Sequence, residues 1–396
     1  MTGTEGAPAP PVLSTDVMII GAGPAGAVAA IALARLHRVV LVDRVAEPRT
    51  RIGESLAPAA RRILADLGLW QSFLDQGHAP CHANLSLWGS DDPVVADHLR
   101  DPDGPGWHLD RARFDAWLRR EAGRAGAALL CPAEPVAVDG VGAPVQHGWH
   151  VRLRGEAGQT ADIRAAVLID AGGRQAALSR RLGARRVVTD RLVCGWLHGR
   201  DSNPTVEAGR TRVQSAPDGW WYTAPLPGGR RVLAFHTDAD LPAAAGLRDT
   251  ATLLASAHAQ PGLGAMLARS GFTGDGEPGF TAAHSALTNP PCGTAVPGDA
   301  GSAAWLACGD AALSFDPLSS QGLFNALYTG LAAAEAASRL VPAPSFTAGS
   351  TADRGAALRD HADRLAGIRT AYQDHLRLFY GAEQRWPDAP FWQRRR

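Results

Sequence analysis

The chain has 396 residues, 45% of them hydrophobic, and a formal charge of +0 from 39 basic and 39 acidic side chains. That is enough apolar material for a core shared by two lobes and a tail, and a charge balance that argues against a polyanion such as nucleic acid as partner. All 39 basic residues are Arg, so amine nucleophiles and Schiff-base chemistry are excluded, because a guanidinium does not release its proton.

Residues 1–14, with Pro8, Pro10 and Pro11 among small neighbours, read as a disordered lead-in without a basic region followed by an apolar run. With no stretch near the ~18 apolar residues of a membrane span, a cytoplasmic location is expected. The fold begins near Asp16. Val17–Ile20 is a short strand, GAGPAG at 21–26 a turn, AVAAIALARL a helix and Val39–Val42 a second strand ending at Asp43, which together make a β-α-β unit. In the turn, Gly21 permits the sharp bend, Gly23 lets backbone approach a pyrophosphate beside Ala25, and Gly26 allows close helix-to-strand packing. Asp43 follows Gly21 by 22 residues, where a carboxylate can hold ribose hydroxyls, with Arg44 next to it. This unit alone suits NAD as well as FAD.

GESLAP at 53–58 is expected to start a helix, with Glu54 either capping it or meeting a cofactor ring edge, and Ser55 beside it. Arg51 and Arg111 are candidates for contacting the cofactor, the alternative for Arg111 being an i,i+4 ion pair with Asp115. A helix follows from His108, sheet from about Ala128 to Val138, and a strand at Ala166–Ile169 ending on DAGG, which places Asp170 among the cofactor-binding candidates. From Arg191 to Gly279 the composition turns to Trp, Pro, Gly and short alternating runs typical of antiparallel sheet, read as a substrate lobe. Trp305–Cys308 is a last strand, about 323–340 a helix, and 341–350 a loop before a helical tail ending FWQRRR. The five cysteines (Cys81, Cys131, Cys194, Cys292, Cys308) are odd in number and lack C-x-x-C spacing, so neither a disulfide framework nor a metal site is expected.

The second informative segment is GDAALSFDPLSSQG at 309–322. Gly309 and Asp310 end a strand, and Asp310 can accept from a ribityl hydroxyl. Pro317 breaks the chain, and Ser320, Gln321 and Gly322 lead into a helix whose free amides can face the pyrimidine edge of an isoalloxazine and stabilise reduced flavin. Paired with GAGPAG, this is a two-ended grip suited to FAD.

These motifs, together with LIDAGG at 168–173 and WWYTAP at 220–225, resemble the flavin-dependent halogenase and monooxygenase superfamily from Asp16 to Trp392. GWWYTAPLP, FHTDAD, DPLSSQG and RWPDAPFW are most similar to the FAD-dependent maturases of cysteine-tryptophylquinone enzymes, which implies hydroxylation of a peptide-bound tryptophan. The halogenase lysine has no counterpart, its position in NLSLWG falling at Leu87, and Ser319 stands for the glutamate of DPLESTG, so halogenation is not expected. DAGG departs from the Asp-Gly signature of hydroxylases that bind nicotinamide nucleotide, so reduced FAD is expected from a separate reductase or a loosely bound NAD(P)H.

The resemblance implies an α/β fold, a glutathione-reductase-like Rossmann FAD-binding domain (15–80, 106–190, 296–342), a β-rich substrate domain (81–105, 191–295) and a helical C-terminal region (343–396). It implies an FAD-dependent monooxygenase that uses O2 through a flavin C4a-hydroperoxide on an aromatic ring. For the proton-handling role the substrate-lobe strands offer His236, Asp238, Tyr222 and Trp221, each of which alone is more often a structural residue filling the core. His78 and His82 at i,i+4 lack a third ligand for a metal. The clustered tryptophans suit either an indole- or peptide-lined pocket or ordinary core, and Arg394–Arg396 either a solvated end or a contact for an acidic peptide. Alternatives are hydroxylation of a small free or carrier-bound aromatic, a flavin-dependent reductase or saturase, and a non-catalytic flavoprotein chaperone.

Overall fold

The computed structural model describes residues 13–141, 148–299, 302–341 and 349–396. Val17, Met18 and Ile19 are consecutive, apolar and wholly buried, as a strand covered on both faces requires. They belong to Leu13–Ile20, which lies between Val39–Val42 and Thr160–Asp170 in a parallel sheet extended by Ala128–Leu130 and Ala304–Ala307. This strand takes in Leu13 and Ser14, the end of the expected lead-in, whose first twelve residues lie outside the described residues. Helix Pro24–Leu33 is apolar all round and buried on almost every residue, so it is an internal element rather than an amphipathic one. It packs against the long helix Gly322–Leu340: a Cβ on Gly330 would collide with the Ala25 carbonyl, and one on Gly309 would press on the Ala25 methyl.

The second large sheet runs in the order 272–274, 192–201, 230–238, 219–226, 210–216, 83–87 and 94–97, with Gly279–Ala282 also pairing on Leu192–Asp201. All its pairs are antiparallel except 83–87 with 210–216. Strands Ala286–Asn289 and Cys292–Thr294 fall inside the span expected for the substrate lobe, yet they pair with Arg185–Val188, Leu313–Ser314 and Ala304–Ala307, all outside that span.

The expected helix at GESLAP is a correction. Ser55–Leu56 forms a short strand against Trp107–His108, and the helix starts at Ala60. Pro58 accounts for the delay, because its ring disfavours helical backbone at the preceding residue. Of the loop expected at 341–350, residues 342–348 lie outside the described residues. The tail is the helix Gly349–Ala382 followed by the short turn Pro390–Gln393.

Candidate active site

At the first glycine turn, Gly21 has φ +108° and any Cβ there would strike the Ala171 carbonyl, while a Cβ on Gly26 would strike the Gly21 carbonyl. Gly23 instead faces open space, with the Arg51 guanidinium near the position its Cβ would take. The helix begins on Gly23 without a side-chain cap, so its first amides are free for a phosphate. A cleft of about 560 Å³ opens here, lined among others by Gly21, Gly23, Asp43, Arg44, Arg51 and Asp170.

Asp43 accepts from the amides of Ala22 (2.8 Å) and Val45 (3.0 Å) and pairs with Arg119 at 3.0 Å. Arg119 was not singled out from the sequence. It is buried and also donates to the carbonyls of Ala22, Val45 and Ala46, which ties the Asp43 end of the cleft to the glycine turn. Its signal was its spacing of two helical turns after Arg111 on Arg111–Arg124. Arg111 donates to the Gly53 carbonyl at 2.7 Å and pairs with Asp115, which also holds Arg51 at 2.5 Å. Burial pushes the Arg111 guanidinium below its usual range. Asp170 is spent within the fold: Oδ1 accepts from Gly172 and Oδ2 from the amide and hydroxyl of Ser179. Ser55 contributes its backbone to a strand pair.

At the second segment, Gly309 takes φ +56°, and Asp310 lies 3.6 Å from Arg174 with its side chain partly exposed. Pro317–Ser319 is a single turn, Ser320 is left-handed, and helix Gly322–Leu340 starts on Gln321 without a side-chain cap. Nothing lies near the position a Gly322 Cβ would occupy. Two uncapped helix starts and a glycine cradle fit a pyrophosphate and a flat anionic ring edge, so the residues present suit FAD.

The sheet facing this region divides the four acid/base candidates. Side chains alternate along a strand, so Trp220 and Tyr222 face the flavin side while Trp221 faces away. Trp221 packs on Phe235 and lines a separate cleft of about 280 Å³ with Leu247 and Leu253, so the structure does not bring it to the others. Tyr222 Oη is buried with no hydrogen-bond partner, and burial raises its phenol well above the usual value. His236 stacks on Trp220 at 3.7 Å with 5° between planes, and neither ring nitrogen has a partner. Burial lowers its pKa to about 3, so it is neutral. Asp238 is buried and held by Arg394 at 2.9 Å and Arg395 at 2.6 Å. It is a tail anchor, and of the three terminal arginines these two are paired rather than solvated. Leu87 packs beside Gly262, on the side away from the flavin motifs. The case against a halogenase lysine rests on the lack of any Lys in the chain.

Three groups that sequence reasoning passed over, His198, Tyr380 and Asp316, complete the region. Glu54 Oε1 and His198 Nε2 meet at 2.7 Å, both buried, and Glu54 Oε2 accepts from the Gly53 amide. His198 was legible as the third residue of an alternating set, Cys194, Trp196 and His198, on one face of its strand. Trp220 donates to Tyr380 Oη at 3.2 Å, which donates to Asp316 at 2.7 Å. Burial pushes Asp316 up to about 6. Trp220, Trp392 and Tyr380 are almost wholly buried with Trp88 and Trp386 around them, so this tryptophan cluster is core rather than a pocket lining.

The FAD binding domain family is matched over residues 14–213. The putative FAD-dependent oxidoreductase LodB of Marinomonas mediterranea is 30% identical over 396 aligned residues, 96% of this chain and 97% of that protein. The myxobacterial chondrochloren halogenase CndH superposes with a TM-score of 0.83 at 26% identity, covering 97% of this chain and 86% of that one. QhpG, a peptidyl tryptophan dihydroxylase required for tryptophylquinone cofactor biogenesis, superposes with a TM-score of 0.69 at 27% identity, covering 96% and 78%.

Proposed function

From a chain that belongs to the FAD binding domain family, within the flavin-dependent halogenase and monooxygenase superfamily, we infer an FAD-dependent monooxygenase that hydroxylates the indole of a tryptophan held in a peptide or protein. The cofactor is FAD. The observation that carries the substrate is the likeness along almost the whole chain to a peptidyl tryptophan dihydroxylase. The lack of any Lys favours hydroxylation over halogenation.

Reduced flavin, delivered by a separate reductase or by NAD(P)H, supplies the activation of dioxygen. The chain's own groups do the rest. The Gly21–Gly26 turn and the helix start behind it take the pyrophosphate, Asp43 with Arg119 the adenosine ribose, and Asp310 the ribityl chain. The free amides at Gly322 draw negative charge to the ring edge. On the facing sheet, the unpartnered Tyr222 hydroxyl is a group available to orient an indole.

The test is mass spectrometry of a tryptophan-containing peptide after reaction with the reduced holoprotein under ¹⁸O2. Gain of labelled oxygen on the tryptophan is expected. An unmodified peptide with labelled oxygen on a free aromatic instead moves the substrate to small molecules, and a chlorinated product in chloride buffer defeats the hydroxylase reading.

A further inference from the structure

The Glu54–His198 contact joins the GES loop of the flavin side to the second strand of the facing sheet, and neither the family signature nor the acid/base candidates account for it. Two cross-strand rows define its surroundings. Trp196, Ala234 and Tyr222 stand opposite one another in one row, and His198, Val232 and Ala224 in the next. Ala224 and Ala234 are small and wholly buried between these side chains. The Trp196 ring lies 4.9 Å from the His198 ring. Ile52, two residues before Glu54, packs over Ala224 and Val232 beside Tyr222, which brings the GES loop onto this face of the sheet.

We propose that His198, oriented by Glu54, is the proton acceptor of the hydroxylation, and that Tyr222, whose buried hydroxyl has no partner, contacts the indole. The proposal rests on the monooxygenase reading above. In the balanced step, one oxygen atom of dioxygen forms a bond to an indole carbon. The other leaves as water with the two electrons of the reduced flavin. The C–H bond at the attacked carbon breaks, its electron pair returns to the ring, and the proton passes to the imidazole. Glu54 binds Nε2, which leaves Nδ1 for the substrate side; Glu54 is thus a positioning residue that sets the tautomer and the ring plane.

The titratable and charged groups packed around the pair are Tyr222, Cys194 and Arg111. The Glu54 carboxylate adds to burial in raising the first two, and it opposes the burial that lowers Arg111. Cys81 acts on Tyr222 in the same direction as Glu54.

The experiment compares wild type, His198→Gln, Glu54→Gln and Tyr222→Phe as FAD-loaded proteins between pH 6 and 9. It reads oxygen incorporation into the peptide, peroxide release and bound FAD, together with imidazole ¹⁵N shifts of wild type and Glu54→Gln. The expected result is a fall of about 100-fold in incorporation for His198→Gln, with FAD content kept and peroxide release raised. Glu54→Gln is expected to move the pH profile and the His198 ¹⁵N resonances together. Tyr222→Phe is expected to raise the peptide KM more than it lowers kcat. An active wild type whose His198→Gln variant keeps the rate and profile overturns the dyad alone, as do His198 resonances indifferent to Glu54→Gln. An inactive wild type whose His198 resonances do follow Glu54→Gln defeats the monooxygenase reading instead.

Discussion

Asp316 shows how much one buried carboxyl can govern. Its Oδ1 accepts from Leu318 N–H, its Oδ2 from Tyr380 Oη, and its own amide donates to Tyr372 Oη. Burial holds it near 6, above the ordinary carboxylate value of 3.8, so the folded state binds the proton more tightly than the unfolded chain. Stability from this group is therefore fully present below about pH 4 and lost as pH rises through 6, on the order of 3 kcal/mol for a shift of about two units. Asp316→Asn removes that slope: urea midpoints of wild type and variant should converge at pH 4 and separate by pH 7, with the variant the more stable. Midpoints that stay parallel across this range would refute it. Asp316 was visible in the sequence only as part of DPLSSQG. Nothing local announced its partners Tyr372 and Tyr380, which arrive from a helix more than fifty residues away.

At the scale of elements, what local pattern determines was legible and what docking determines was not. The β-α-β unit, the strand Thr160–Asp170 and the helix Gly322–Leu340 follow from apolar runs, glycine turns and helical spacing, and each falls within a few residues of its expected place or contains it. The division of Trp220 from Trp221 follows from strand alternation, yet which face meets the flavin side depends on a register that no single strand encodes. The tail was the least legible element, because its role comes from contacts with distant strands. Glu383 accepts from the Gly89 amide and the Ser215 hydroxyl, and Arg394 and Arg395 clasp Asp238. Removing the Arg395 side chain leaves a buried carboxylate short of its main partner. Arg395→Ala is expected to destabilise by on the order of 3 kcal/mol in denaturant melts, and Asp238→Asn in the same background to recover part of it. Simple additivity of the two substitutions would mean the pair is not coupled.

Across the whole molecule, the cofactor site is assembled from chain segments that no sequence window contains together, and ligand binding should be felt as stability of the entire fold. FAD at about 100 times its Kd adds roughly 2.7 kcal/mol, since it binds only the folded state. The unfolding midpoint should rise accordingly in wild type, and Gly26→Val, whose side chain collides with the Gly21 carbonyl, should show no such rise. An equal rise in both would place FAD elsewhere. The contact of Ala25 with Gly309 and Gly330 carries a further consequence for how the protein is made. Gly309 follows Gly21 by 288 residues. At ~5–20 residues per second, translation separates the two by roughly 15–60 s. Through that interval the fingerprint helix has left the ribosome while the helix that covers it does not yet exist. Cofactor capture is therefore a late event of synthesis, and a stalled or truncated nascent chain would present an alanine-rich helix covered only by Arg111–Arg124 to chaperones and proteases.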